Sequence, residues 1–216
     1  MSLPLAVGRS LLVVAGLGAW FWTQRLIARR AFPDGRIGDR LLDWTAPWNR
    51  SLHAHPRRAD ALLLATSAVI DGLGIFLVAR AILGPTVRPF LGLALLFALR
   101  QICQGLCALP APEGMIWRDP GFPSLLVTYG TSNDLFFSGH TALAVYGSLE
   151  LALALGGAGA AVLGVAIVLV EAAAVLILRA HYTMDVFAGA VTALWVWTAA
   201  SALAPGVDRW LAGLVG

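Results

Sequence analysis

Apolar residues along this 216-residue chain gather in long runs, without the alternation of a sheet or the regular seam of a coiled coil. A hydrocarbon core of roughly 30 Å takes about 20 apolar residues per helix. Six runs have that character: 3–26, 61–83, 89–109, 138–155, 160–178 and 184–204. The pattern predicts an all-α polytopic membrane protein, a bundle of six transmembrane helices in one domain spanning 1–216. The first run carries Arg9 and resembles a signal peptide at first sight. No clear small-residue cleavage site follows it, and Trp20, Phe21 and Trp22 sit near its end as interface anchors do, so it is read as a span.

Three polar connections separate the runs. Residues 28–60 are charged and punctuated by proline, with Trp44 and Trp48 among them; the part 37–44 is predicted as a short interfacial helix. Residues 110–137 hold four prolines and read as a structured loop, while 179–183 is very short. The Gly-Gly-Ala-Gly of 156–159 marks a tight turn between the fourth and fifth spans. Six spans place both termini on one face and all three polar connections on the other, so residues far apart in sequence can converge there.

Composition supports the membrane reading and narrows the partners. The chain is 59% hydrophobic and 12% charged, against about 25% charged residues in soluble domains. That excludes an ordinary soluble globule, a disordered tail and a disulfide scaffold. Twelve charges, eight Arg and four Asp, fall within 25–60. Such a juxtamembrane block suits anionic lipid, so the net charge of +3 is not taken as a sign of nucleic acid. Lysine is absent, which points to a GC-rich coding bias, a bacterial source and thus a bacterial inner membrane. Cys103 and Cys107 stand four apart in an apolar run and read as small hydrophobes, neither a bridge nor a metal pair.

Two motifs carry candidate chemistry. In Phe136-Phe137-Ser138-Gly139-His140-Thr141 a helix begins at the membrane surface. Its free N–H groups and positive dipole end suit phosphate oxygens; Ser138 can cap it, and Gly139 admits close approach to the backbone. In Arg179-Ala180-His181-Tyr182-Thr183-Met184-Asp185 the fifth span meets the sixth. His181 and Asp185 share a helical face if that helix begins near His181. A carboxylate on Nδ1–H leaves Nε2 as the reactive lone pair, and Arg179 suits bidentate phosphate binding. The bland alternatives are an interfacial histidine after a cap and a surface salt bridge at a helix end. Together, two histidines and an aspartate at neighbouring span ends are the parts for displacement at phosphorus, with His140, His181 and Asp185 as the catalytic set. No metal or other cofactor is required, because arginines and helix N-termini can neutralise phosphate.

The stretch from Asn133-Asp134 to His140-Thr141 resembles the GD-x-x-x-SGHT motif of sphingomyelin synthases, and His181-Tyr182-Thr183-Met184-Asp185 resembles their HYT-hydrophobic-D motif. Arg100 with Leu109-Pro110-Ala111-Pro112 is similar to a third stretch of that family, and Phe32-Pro33-Asp34 with Asp39 to a fourth. The resemblance runs over about residues 30–190 and implies the fold of the type 2 phosphatidic acid phosphatase superfamily. It implies that His181 is a nucleophile forming a phosphohistidine, Asp185 its partner, and His140 the general acid and later base. Substrate-binding candidates are Arg100, Arg179, Ser138, Gly139, Asp134 and Tyr182. Glu113 departs from the pattern, standing after Pro112 where the synthases commonly have glycine.

Four charges fall inside apolar runs, where an unpaired charge costs about 2.5–3.5 kcal/mol on insertion scales. Arg100 is expected near the substrate, paired with Asp71 or a glutamate; structural pairing is as good a reading for Asp71, Glu150 and Glu171. Asp134 either orients His140 or the acceptor, or serves as a turn residue. For orientation, ten arginines flank the motif face against four on the other, which argues for a cytoplasmic site; the family resemblance implies an exoplasmic one.

These readings predict a phospholipid headgroup transferase with a phospholipid donor and a lipid alcohol acceptor of the ceramide or diacylglycerol type. With water as acceptor it would be a lipid phosphate phosphatase or a phospholipase C-like hydrolase, and with a degenerate site a lipid-binding or transport protein. The surrounding bilayer is the expected partner, and the oligomeric state, a homo-oligomer included, stays open.

Overall fold

The computed structural model describes Trp22 and residues 37–121, 124–127, 129 and 135–215. Apart from Trp22, the first expected span lies outside the described residues, as do Phe32-Pro33-Asp34 and Asp134. The chain divides into a unit of residues 1–38 and a second unit, Asp39–Gly216.

Six helices and no strand are found among its described residues: α1 (Arg40–Ala54), α2 (Pro56–Leu83), α3 (Arg88–Leu106), α4 (Gly139–Leu155), α5 (Gly157–Ile177) and α6 (Thr183–Val215). Of these, α2, α3, α5 and α6 are long and apolar enough to cross a membrane. The fourth predicted span is α4, which at 17 residues rises about 26 Å at 1.5 Å per residue. It is the central element, packing against α2, α3, α5 and α6. The side chains it buries include His140, Leu143, Tyr146 and Glu150.

The boundaries shift from those expected for local reasons. Pro56 opens α2 five residues before the apolar run, because proline's missing N–H costs nothing in a first turn. The predicted interfacial helix 37–44 is corrected to Arg40–Ala54, which runs through Pro47. Asp39 caps it, its Oδ1 accepting from the N–H groups of Leu41 and Leu42 at 3.1 and 3.3 Å. Trp44 and Trp48 are 75% and 59% exposed, whereas Leu42 and Asn49 face inward. Between α4 and α5 the chain reverses through Gly156 and Gly157, with φ of 70° and 77°; such left-handed values favour glycine.

The end of the bundle remote from the motifs is closed by polar contacts. Arg88 at the start of α3 binds Glu150 of α4 in a fork, Nε to Oε1 at 2.9 Å and a terminal nitrogen to Oε2 at 2.7 Å. Asp208 of α6 accepts from Thr86 Oγ1 and the Val87 N–H. Glu150 is thus an ion-pair partner. Tyr146 donates to the Arg88 carbonyl oxygen at 2.9 Å, and its ring lies where a side chain at Gly92 would begin.

Candidate active site

The approach to His181 is a helix ending. The N–H of Arg179 reaches the carbonyl of Leu176 at 3.1 Å, and that of Ala180 reaches Val175 at 2.9 Å. This paired pattern requires a left-handed residue, usually glycine. Here it is Arg179, with φ of 54°. Its side chain explains its presence, donating to the backbone oxygens of Glu113 and Leu42. Arg179 thereby clips α1 and the loop after α3 to the end of α5, while its Nε is buried with no hydrogen-bond partner. Asn49 reinforces that clip, donating to the carbonyls of Gly114 and Ile177 at 3.0 and 2.9 Å. Sequence reasoning had no signal for Asn49, a polar residue in a polar connection.

Helix α6 begins at Thr183, so His181 lies just before it. The carboxylate of Asp185 reaches back, Oδ2 accepting from the Tyr182 N–H at 2.9 Å, half of a capping box. The same Oδ2 stands 3.7 Å from His181 Nδ1, a turn-mediated approach longer than a hydrogen bond. His181 is 5% and Asp185 1% exposed. His181 Nδ1 and Asp185 Oδ1 are buried with no hydrogen-bond partner. Asp39 anchors the segment from outside: its two oxygens accept from the N–H and the hydroxyl of Thr183, both at 2.6 Å. One carboxylate therefore caps α1 and holds the start of α6. Tyr182 donates from its phenol to the Pro110 carbonyl at 3.0 Å. Burial, with Asp185 and Asp39 nearby, raises the phenol's pKa above the ordinary tyrosine value, so it stays a donor.

The other motif is joined to this one through the backbone. Ser138 donates its N–H to the carbonyl of Asp185 at 3.0 Å, and Gly189 of α6 faces the Ser138 carbonyl with no room for a side chain. Ser138 Oγ accepts from the N–H and the hydroxyl of Thr141 at 3.3 and 3.1 Å, so it serves as the helix cap. His140 is 6% exposed and its Nε2 is buried with no hydrogen-bond partner. Its ring meets Trp117 edge to face at 5.3 Å. Arg100 donates from Nε to the Phe137 carbonyl at 3.2 Å. Its guanidinium lies over Gly139, where a Cβ would sit 3.0 Å from Nε.

Arg100, Gly139, His140 and His181 all line one cavity, together with Trp117, Phe97 and further apolar side chains. Ser138, Arg179, Tyr182 and Asp185 are not among its lining residues and act behind them. Asp71 is not paired as expected: its oxygens accept from the N–H groups of Leu125 and Leu126, both at 2.8 Å. It thereby holds a loop whose Leu126 and Val127 form part of the cavity wall. Trp117 and Phe97 are lining residues that sequence reasoning missed: an aromatic in a proline-rich loop carries no periodicity to place it, and one in an apolar run reads as packing.

No curated protein and no solved structure matches the chain. A family model does match, that of AtPDCT1/2, over residues 39–202. This corrects the sphingomyelin synthase assignment: the family found is phosphatidylcholine:diacylglycerol cholinephosphotransferase. The motifs that carried that resemblance are short, whereas the family match runs over residues 39–202, most of the second unit. The matched family is a plant one, which removes the support for a bacterial inner membrane and leaves membrane embedding itself intact. Most of the second unit lies within the match, and the chain belongs to the AtPDCT1/2 family, a family of enzymes that transfer lipid phospho-headgroups in membranes.

Proposed function

We propose that the protein moves phosphocholine from a phosphatidylcholine donor to a diacylglycerol acceptor, with His181 as nucleophile. The observation that carries this reading is the convergence of Arg100, Gly139, His140 and His181 on one cavity at the ends of apolar helices. In the first half-reaction the Nε2 lone pair of His181 attacks phosphorus. The bond from phosphorus to the glycerol oxygen breaks, and that oxygen leaves as diacylglycerol with a proton from His140. In the second, the acceptor hydroxyl gives its proton to His140 and attacks phosphorus, and the phosphorus–nitrogen bond breaks.

The remaining groups hold this chemistry in place. Asp185, 3.7 Å from His181 Nδ1, closes to hydrogen-bond distance when substrate fills the site, as catalytic contacts do. There it fixes the tautomer and stabilises the imidazolium. Arg100 and the first amides of α4 receive the phosphate oxygens. The apolar share of the lining, Ile70, Leu126 and Leu143 among it, favours a lipid alcohol over water as acceptor. The ten arginines that flank the motif face in the sequence support a cytoplasmic site.

The test supplies vesicles containing headgroup-labelled phosphatidylcholine, with diacylglycerol or ceramide of distinguishable acyl chains, to the purified full chain. Mass spectrometry is expected to show labelled phosphatidylcholine bearing the acceptor's chains, and none with His181→Ala. Free phosphocholine as the main product would overturn transfer in favour of hydrolysis. Full turnover by both His181→Ala and His140→Ala would overturn the mechanism.

A further inference from the structure

The cavity must accommodate more than a phosphate. In a choline phospholipid the quaternary ammonium is tied to the phosphate by a two-carbon arm, so it comes to rest close to Arg100 and His181. Among the described residues, the polar side chains lining this space are Arg100, Trp117, His140 and His181. None is a carboxylate, an amide or a hydroxyl. A primary ammonium carries three N–H donors, and among these side chains only the imidazole nitrogens of His140 and His181, both assigned to the chemistry, can accept from it, so burying it here is costly. A trimethylammonium group has no N–H to satisfy. What it needs is an apolar, electron-rich surface, which the faces of aromatic rings provide.

Phe97 and Trp117 both line the cavity. Trp117 is held from two sides: its ring centroid lies 4.9 Å from that of Tyr129 and 5.3 Å from that of His140. Tyr129 is fixed in turn by a hydrogen bond between its phenol and the Ser67 hydroxyl. The indole is therefore braced against α2 and stands beside the proposed general acid. We infer that Trp117, with Phe97, receives the quaternary ammonium and so selects choline over ethanolamine headgroups. This rests on the transferase reading above and adds to it the residues that determine the headgroup.

The readout is the ratio of kcat/KM for phosphatidylcholine to that for phosphatidylethanolamine, with the same diacylglycerol acceptor. A general loss of activity from repacking beside His140 cancels in this ratio. The native chain is expected to prefer phosphatidylcholine. Trp117→Leu is expected to lower the ratio about tenfold, about 1.4 kcal/mol, and Phe97→Leu by a smaller factor in the same direction. Trp117→Phe keeps a ring against Tyr129 and is expected to lower it only a few-fold, so it carries the test if the leucine variant fails to fold. An unchanged ratio in both Trp117→Phe and Phe97→Leu overturns the inference, as does a native chain that uses the two donors equally. In either case the transferase reading survives. Transfer from neither donor by the native chain refutes that reading, and this inference with it.

Discussion

Asp185→Asn isolates charge from shape at the centre of the proposed mechanism. Asparagine keeps an oxygen that can accept from the Tyr182 N–H, the 2.9 Å contact that Asp185 makes at the start of α6, so the helix start survives. What goes is the negative charge 3.7 Å from His181 Nδ1. At that distance, with an effective dielectric of about 20, the attraction for an imidazolium is about 4 kcal/mol. If the transition state carries that charge, kcat falls on the order of a thousandfold. The assay is transfer of labelled phosphocholine to diacylglycerol at saturating donor, with thermal unfolding of the same preparation as control. Unfolding is expected to shift little. Asp185→Ala is the contrast, because it also strands the Tyr182 N–H and destabilises the fold by about 1–3 kcal/mol. If Asp185→Asn keeps more than a tenth of the native kcat, then the carboxylate does not stabilise a charged His181 and the proposed roles fail.

Three further predictions concern the frame around the site. Gly92→Ala places a methyl group in the Tyr146 ring and disturbs its bond to the Arg88 carbonyl; overpacking and the lost bond together cost about 2–4 kcal/mol, read as a lower unfolding temperature in detergent. Arg88→Ala leaves Glu150, 3% exposed, without its fork and is expected to cost about 3–5 kcal/mol, whereas the double change Arg88→Leu with Glu150→Leu recovers most of that loss; no recovery in a double-mutant cycle refutes the pairing argument. Asp39→Ala removes the cap of α1 and both contacts to Thr183. It is expected to destabilise by about 2–3 kcal/mol and to slow transfer as well, since the segment bearing His181 loses its anchor; a stability loss with unchanged kcat would make Asp39 purely structural.

Local chemistry was legible where a single segment contains its own cause. The five apolar runs among the described residues became α2 through α6 because an apolar stretch of this length can satisfy its backbone in lipid as a helix. The 138–141 and 181–185 motifs showed that a cap and a helix start bring histidine and carboxylate to span ends. Even there, the helix boundary moved to Thr183, because the Asp185 side chain caps the preceding N–H instead of extending the helix back to His181.

What the sequence alone determined is therefore the membrane-embedded all-helical class and the candidate His140, His181 and Asp185, each read from spacing within one segment. Only the tertiary structure decided what those segments meet. It showed Arg179 donating to the carbonyls of Glu113 and Leu42, Asp71 holding the backbone of the 124–127 loop, and Trp117 brought beside His140. An arginine or aspartate has the same character whether its partner is a phosphate or a backbone group, and that partner lies 54 to 137 residues away in these cases. Spacing along a helix encodes a face, but the neighbour packed on that face is chosen by the folded bundle.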